Sequence, residues 1–215
     1  MTLLQIVLLL LGRIPLFDTL CISFGTAGTG GFGIVNDSMG SYSVYCQIIT
    51  TIFMILFGVN FSAYYLFLTK KFMQAFKFEE VRYYFGIILA AIVIIAFNTS
   101  HLFRNLGEAF QQAAFQVGSI ITTTGFSSTD FNQWPALSKT ILVLLMFVGA
   151  CAGSTGGGLK VSRILILCKA AKKEFQLYLH PNAVKKIKMD NKTIGHDILR
   201  STNIYITLYL IIFAV

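Results

Sequence analysis

A polar stretch closed by glycine, Thr122-Thr123-Thr124-Gly125-Phe126, follows an apolar segment too short to cross a bilayer, and this pairing restricts the folds open to the chain. Residues 107–121 have helical spacing over roughly half a span. Ser127, Ser128, Asp130, Asn132 and Pro135 are turn formers, and a second hydrophobic segment begins near Thr140. Half-length helix, polar turn and full-length helix, in that order, describe a re-entrant loop. Non-helical backbone at membrane depth is tolerated only where it is buried in protein or lines a water-filled cavity. Hydroxyls and carbonyls gathered at such a turn are the material of a cation filter.

The pattern occurs twice. With Gly31 aligned on Gly125, an offset of 94, Thr29 falls on Thr123 and Phe32 on Phe126. After a three-residue shift in the intervening loop, residues 53–58 resemble residues 144–149. Both units read as helix, re-entrant half-helix with filter, helix. The half-helices are expected at 17–27 and 108–121, with long apolar runs at 42–69 and 83–98. The C-terminal dipole ends of the half-helices would favour a cation at the two turns. Glycine permits the left-handed conformations that aim carbonyls at an axis. The candidate ion-binding residues are therefore Gly28, Thr29, Gly30 and Gly31 in the first turn and Thr122, Thr123, Thr124 and Gly125 in the second. The simpler alternative for each stretch is that Thr and Gly only let helices pack closely.

Composition agrees with a membrane setting: 55% of residues are hydrophobic, 12% are charged and mean hydropathy is +0.72. The net charge of +8 does not indicate a nucleic-acid partner, because of where it sits. Of the 17 Lys and Arg, only Arg13, Arg104 and Lys139 lie outside residues 70–82 and 160–200. Two basic segments on one face, with both filters on the other, satisfy the positive-inside rule. Cys21, Cys46, Cys151 and Cys168 stand singly and His101, His180 and His196 are scattered, so neither a disulfide frame nor a metal site is indicated. No His–carboxylate, Cys–His or Ser–base grouping falls at membrane depth, so the chain reads as a non-enzyme.

The last long helix is interrupted. Residues 141–148 are apolar, residues 149–158 hold five glycines, and apolar residues return at 159. Each glycine costs roughly 1 kcal/mol relative to alanine inside a helix, so the helix unwinds near mid-membrane. Gly153, Ser154, Thr155, Gly156, Gly157 and Gly158 make either a packing hinge or a mobile gate, and polar Ser154 and Thr155 favour a gate lining water. Lys160 either balances charge near the pore or snorkels to the interface. Lys185, Lys186 and Lys188 read as lipid-surface charges, with docking of a cytosolic partner the second reading.

Two glycine motifs invite other functions and fail. Gly28-x-Gly30-x-x-Gly33 matches a dinucleotide fingerprint, which needs a preceding strand and an acidic residue about 20 positions on; residues 51–60 contain none. Gly153 to Lys160 resembles a phosphate loop, but Leu159 and Val161 flank the lysine where Gly and Ser/Thr are required.

Residues 115–127, Asp130 with Trp134-Pro135, and residues 145–160 resemble the Trk potassium-uptake family, as do Phe17-Asp18, residues 28–32 and His180-Pro181. The likeness covers essentially the whole chain and is closer to the bacterial Trk membrane subunit than to the Ktr or plant HKT branches. It implies an all-α membrane protein of helix–pore loop–helix repeats of the potassium-channel-like type, with one glycine-broken helix, in the bacterial cytoplasmic membrane. On this resemblance residues 1–69 are the second of four repeats with a short first helix, and 70–82 a cytosolic basic loop. Residues 83–168 are the third repeat with its gating loop at 149–158, 169–200 a cytosolic basic linker, and 201–215 the start of a further helix. Gly31 and Gly125 match the family's filter glycines. The resemblance implies K⁺ as the transported ion and no cofactor. Its implied partners are the remaining repeats, a second copy in a homodimer, and a cytosolic nucleotide-binding regulatory subunit. Two repeats leave an ion pathway open on one side, so this stretch alone is expected not to conduct. The contrasting expectation is a non-transporting membrane scaffold derived from such a transporter.

Overall fold

The apolar runs fold as α-helices in the structure, a computed structural model that describes residues 1–70, 78–180, 186–190 and 192–214. A first unit holds α1 (Thr2–Leu11), α2 (Leu16–Ala27), α3 (Val44–Phe57) and α4 (Phe61–Leu68). A second holds α5 (Glu79–Thr99), α6 (Leu106–Ile121), α7 (Ala136–Val148) and α8 (Val161–Leu179). A two-stranded antiparallel hairpin, β1 (Lys188–Met189) and β2 (Lys192–Thr193), leads into α9 (His196–Ala214). Pro15 and Pro135 stand immediately before α2 and α7, where a missing N–H costs nothing. The Ser43 hydroxyl accepts the Cys46 N–H at the start of α3.

Among the described residues one unbroken helical stretch, the 24 residues Glu79–Leu102, is long and apolar enough to cross a membrane. The half-helices α2 and α6 begin one and two residues earlier than the sequence suggests. The long helix expected over 42–69 is not continuous. It breaks at Gly58-Val59-Asn60, and α3 and α4 meet at 95°. The break is stable because other backbone supplies partners for the freed groups. Gly58 O accepts the Cys151 N–H at 3.0 Å, the Phe61 N–H donates to Gly153 O at 3.0 Å, and Asn60 Oδ1 accepts the Ser62 N–H at 2.8 Å. The segment 169–200, expected as a basic linker, is helical at both ends, and its residues 196–200 already open α9. Its first eleven residues continue α8, because Lys169, Lys172 and Lys173 are good helix formers and Val161, Leu165 and Ile166 bury one face. Of the basic loop 70–82, residues 71–77 lie outside the described residues, as do Pro181 and Lys185; Glu79 to Arg82 already belong to α5.

The two units interlock. One core cluster holds Leu9, Ile22, Met39 and Met54 of the first unit together with Phe115 and Phe126 of the second. Another joins Tyr84, Ile88, Ile95, Val117, Ile121, Leu142 and Val161 around α5 and α6. Lipid is as apolar as these side chains, so small residues and interhelical hydrogen bonds must fix the packing. Gly118 lets α6 approach Ile55 and Thr51 of α3. The Asn98 amide donates to Ser138 Oγ at 2.8 Å and the Gln5 amide to Thr26 Oγ1 at 3.0 Å.

Tyr84, fully buried, donates its hydroxyl to Ile55 O at 3.0 Å and fills the space beside the first helix break. A Cβ at Gly58 would lie 2.2 Å from that hydroxyl oxygen. Gly58→Ala is therefore expected to destabilise by about 1–3 kcal/mol through overpacking. Gly58→Ala with Tyr84→Phe should recover part of the loss, measured as thermal retention of a monodisperse peak in detergent.

Candidate functional site

The two turns after the half-helices have the same backbone, position for position. In the first, Gly28 N donates to Phe24 O, Thr29 N to Thr26 O and Gly30 N to Gly25 O. In the second, Thr122 N donates to Gly118 O, Thr123 N to Ile120 O and Thr124 N to Ser119 O. Each donor and acceptor is displaced by the offset of 94 found in the sequence. The crossed pair of bonds closing each helix is a Schellman end, in which the residue after the cap turns left-handed. Here that residue is a threonine, Thr29 at φ 52° and Thr123 at φ 57°. Two positions on, Gly31 (φ 66°) and Gly125 (φ 89°) are left-handed again. A β-branched residue in this region costs on the order of 1–3 kcal/mol and persists only where its surroundings over-determine it, commonly at functional sites.

The threonine hydroxyls are spent within the protein. Thr29 Oγ1 donates to Gly28 O and Thr123 Oγ1 to Thr122 O, each at 2.7 Å. Thr122 Oγ1 and Thr124 Oγ1 lie 2.7 Å apart, and Thr122 also donates to Gly118 O. Both side chains are buried. What remains is carbonyl oxygen. Among the described residues no hydrogen bond ends on the carbonyls of Thr29, Gly30, Gly31, Thr123, Thr124 or Gly125. The two turns touch: a Cβ at Gly31 would stand 1.9 Å from Thr124 O, so only glycine fits there. At Gly125 a Cβ would meet nothing within 4 Å. The phenylalanines that follow differ in the same sense, with Phe126 buried at 1% exposure and packed over Gly25, and Phe32 86% exposed.

A polar frame ties the second turn to its half-helix and to the first unit. Ser119 Oγ donates to Phe126 O, Gln116 to Thr129 O, and Met39 N to Ser127 O. Gln47 bridges the units, donating to Met39 O and accepting from Gln111 at 2.6 Å. Beyond it a hollow of about 570 Å³ carries Asp37 from one turn and Asp130 from the other. Nearby Tyr42 donates to Asp18 at 2.9 Å, and burial together with that carboxylate pushes the phenol up to about 12.

The glycine-rich segment folds against both turns. The Gly157 N–H donates to Thr123 Oγ1 at 2.7 Å, and Thr155 O lies 3.3 Å from Thr29 Oγ1, sharing the proton that the hydroxyl gives mainly to Gly28 O. A Cβ at Gly156 would lie 2.9 Å from Thr122 O. Gly149 and Gly158 close the base of the loop, where a Cβ on either would come within 2.8 Å of the other's Cα. Ser154 donates to Cys151 O, Thr155 Oγ1 to Phe57 O, and Lys160 Nζ to Gly156 O. Residues 28–31, 122–125 and the loop 149–160 thus lie against one another, while Lys186 and Lys188 lie elsewhere, beside Lys169, and Lys185 is outside the described residues.

One residue was missed. Glu80, 4% exposed on the first turn of α5, accepts the Ala152 N–H at 2.6 Å and the Ser162 N–H at 3.1 Å through the same oxygen. It fastens the loop at one point and caps α8 with a charge that its N-terminus favours. Its signal in the sequence was a pair of glutamates, Glu79-Glu80, opening an apolar run otherwise free of acidic residues.

Known proteins carry the same architecture. The TrkH family, described as cation transport protein, matches residues 5–215. The Trk system potassium uptake protein TrkH of Salmonella typhimurium is 34% identical over 94% of this chain, and that of Escherichia coli K12 33% identical over 93%. The crystal structure of the potassium transporter TrkH from Vibrio parahaemolyticus superposes with a TM-score of 0.93 at 31% identity, over 99% of this chain. The chain spans 42% of the length of the first two relatives and 47% of the third. By sequence and by fold, the chain belongs to the TrkH family of membrane cation transport proteins.

Proposed function

We propose that this chain supplies two adjacent walls of a K⁺ uptake pathway, with Gly28 to Gly31 and Thr122 to Gly125 as its share of the selectivity filter. The observation that carries the reading is the set of unpartnered carbonyls on two abutting turns at matched positions. A filter replaces the hydration shell of an ion with backbone carbonyls. The C-terminal ends of α2 and α6 add a field favourable to cations. Asp37 and Asp130 draw cations toward the outer end, while the basic ends of α5 and α8 and the basic hairpin face the cytosol.

Residues 149–158 act as the gate. With Gly157 bonded to Thr123 and Thr155 to Thr29, the loop occupies the inner side of both turns, and passage of an ion requires those bonds to part. Lys160 holds the loop through Gly156 O, and Glu80 sets its resting position. The other walls come from further repeats of the same kind, which would cover Phe32 and the open side of Gly125 as Phe126 and Thr124 cover Gly25 and Gly31. The resemblance supplies the rest of the assembly: a second copy and a cytosolic nucleotide-binding subunit.

Rubidium uptake into a bacterium lacking K⁺ uptake systems tests the pathway. A version of the chain extended through the remaining repeats is expected to restore uptake and residues 1–215 alone are not. Gly125→Ser should abolish K⁺ preference over Na⁺, because φ 89° strains any side chain even where space is open; unchanged selectivity would remove the filter assignment. For the gate, Glu80→Ala removes an ionic acceptor from two N–H groups, an interaction of about 1.5–3 kcal/mol. Basal uptake should rise about tenfold or more, while Glu80→Gln, which keeps the acceptor oxygen, stays near wild type. Equal uptake in both variants would discard the latch.

A further inference from the structure

Two hollows at the basic end of the fold share one lysine. The larger, about 640 Å³, runs between α5 and α8, with Arg82 and Lys169 at its polar end and Gly86, Ile87 and Ala90 along its apolar wall. The smaller, about 190 Å³, adds Lys172, Lys173, Lys186 and Lys188, with no acidic residue in its lining. The one carboxylate at the larger hollow, Glu79, is paired with Lys169. Arg82 makes no side-chain hydrogen bond or ion pair among the described residues.

The wall has a direction. Arg82, Gly86, Ala90 and Ile94 succeed one another at four-residue steps, which places them on one face of a helix that crosses the membrane. Along that face charge gives way to apolar surface over about 18 Å. Gly86 leaves a groove, since a Cβ there would meet nothing within 4 Å, and Ile94 and Phe97 extend it as exposed apolar side chains. A free anion would use only the polar end of such a site, and a soluble partner only the charged rim. A molecule with an anionic head and a long hydrocarbon tail uses all of it. Basic pockets between transmembrane helices on the cytosolic side have this ligand chemistry.

We propose that the α5–α8 hollow binds one anionic phospholipid, its phosphate between Arg82 and Lys169 and an acyl chain along Gly86, Ala90 and Ile94. The site rests on the membrane fold and not on the ion pathway. By sharing Lys169 with Glu79, the bound headgroup acts one residue away from the latch at Glu80.

The test is native mass spectrometry of the protein in mild detergent with dioleoylphosphatidylglycerol, dioleoylphosphatidylcholine or inorganic phosphate. One phosphatidylglycerol should be retained at least about fivefold over phosphatidylcholine, as one well-placed basic residue supplies, and inorganic phosphate should not displace it. Arg82→Ala should remove the preference. Gly86→Leu, which fills the groove and favours the helix, should lower retention of the lipid while the protein stays monodisperse. Equal retention of both lipids, displacement by phosphate, or full retention in both variants would overturn the proposal.

Discussion

Backbone groups that leave a helix inside a membrane have no water to bond, and the fold follows from where those groups find partners. The break at Gly58 to Asn60 and the segment 149–158 solve the problem for each other: Gly58 O takes the Cys151 N–H, and Gly153 O takes the Phe61 N–H. The second half of the loop turns to the threonines of the two half-helix ends, and Glu80 takes the N–H groups left at Ala152 and Ser162. Three irregular stretches, each untenable alone, are stable together. This mutual satisfaction brings both turns and the loop to one place.

The turns themselves are an exception to that satisfaction. Six carbonyls on the two turns have no hydrogen-bond partner among the described residues, although the threonine hydroxyls beside them are bonded. Leaving carbonyls bare at membrane depth, and placing two β-branched residues in left-handed backbone beside them, costs several kcal/mol. Interlocked cores supply the offset, and a cation that binds there would lower the cost further.

Much of this was legible in the sequence because it rests on local chemistry repeated at a fixed offset. Gly31 and Gly125 announced left-handed positions, and the half-length apolar runs before them announced short helices. The run 42–69 misled because its periodicity is unbroken; only Gly58 and Asn60 hint at a bend, and the partners that sustain the bend lie some ninety residues away. The threonine hydroxyls were equally ambiguous, since the residue type does not say whether an oxygen faces the axis or the chain behind it. Glu80 was hidden for a related reason. A glutamate at the start of a membrane helix reads as an interfacial charge, and its two acceptor bonds become visible only when residues 152 and 162 are brought to it.

The shared core of the two units bears on how the chain is made. Leu9, Ile22 and Met54 close their cluster only with Phe115 and Phe126, side chains synthesised long after α1 to α3 have left the ribosome. Until then the first unit has its half-helix packed only against α1 and α3, and the Gly31 turn lacks its neighbour. A polypeptide interrupted before α6 would hold α1 to α5 with neither Phe115 nor Phe126 to complete that cluster, and would expose apolar surface that the finished fold covers.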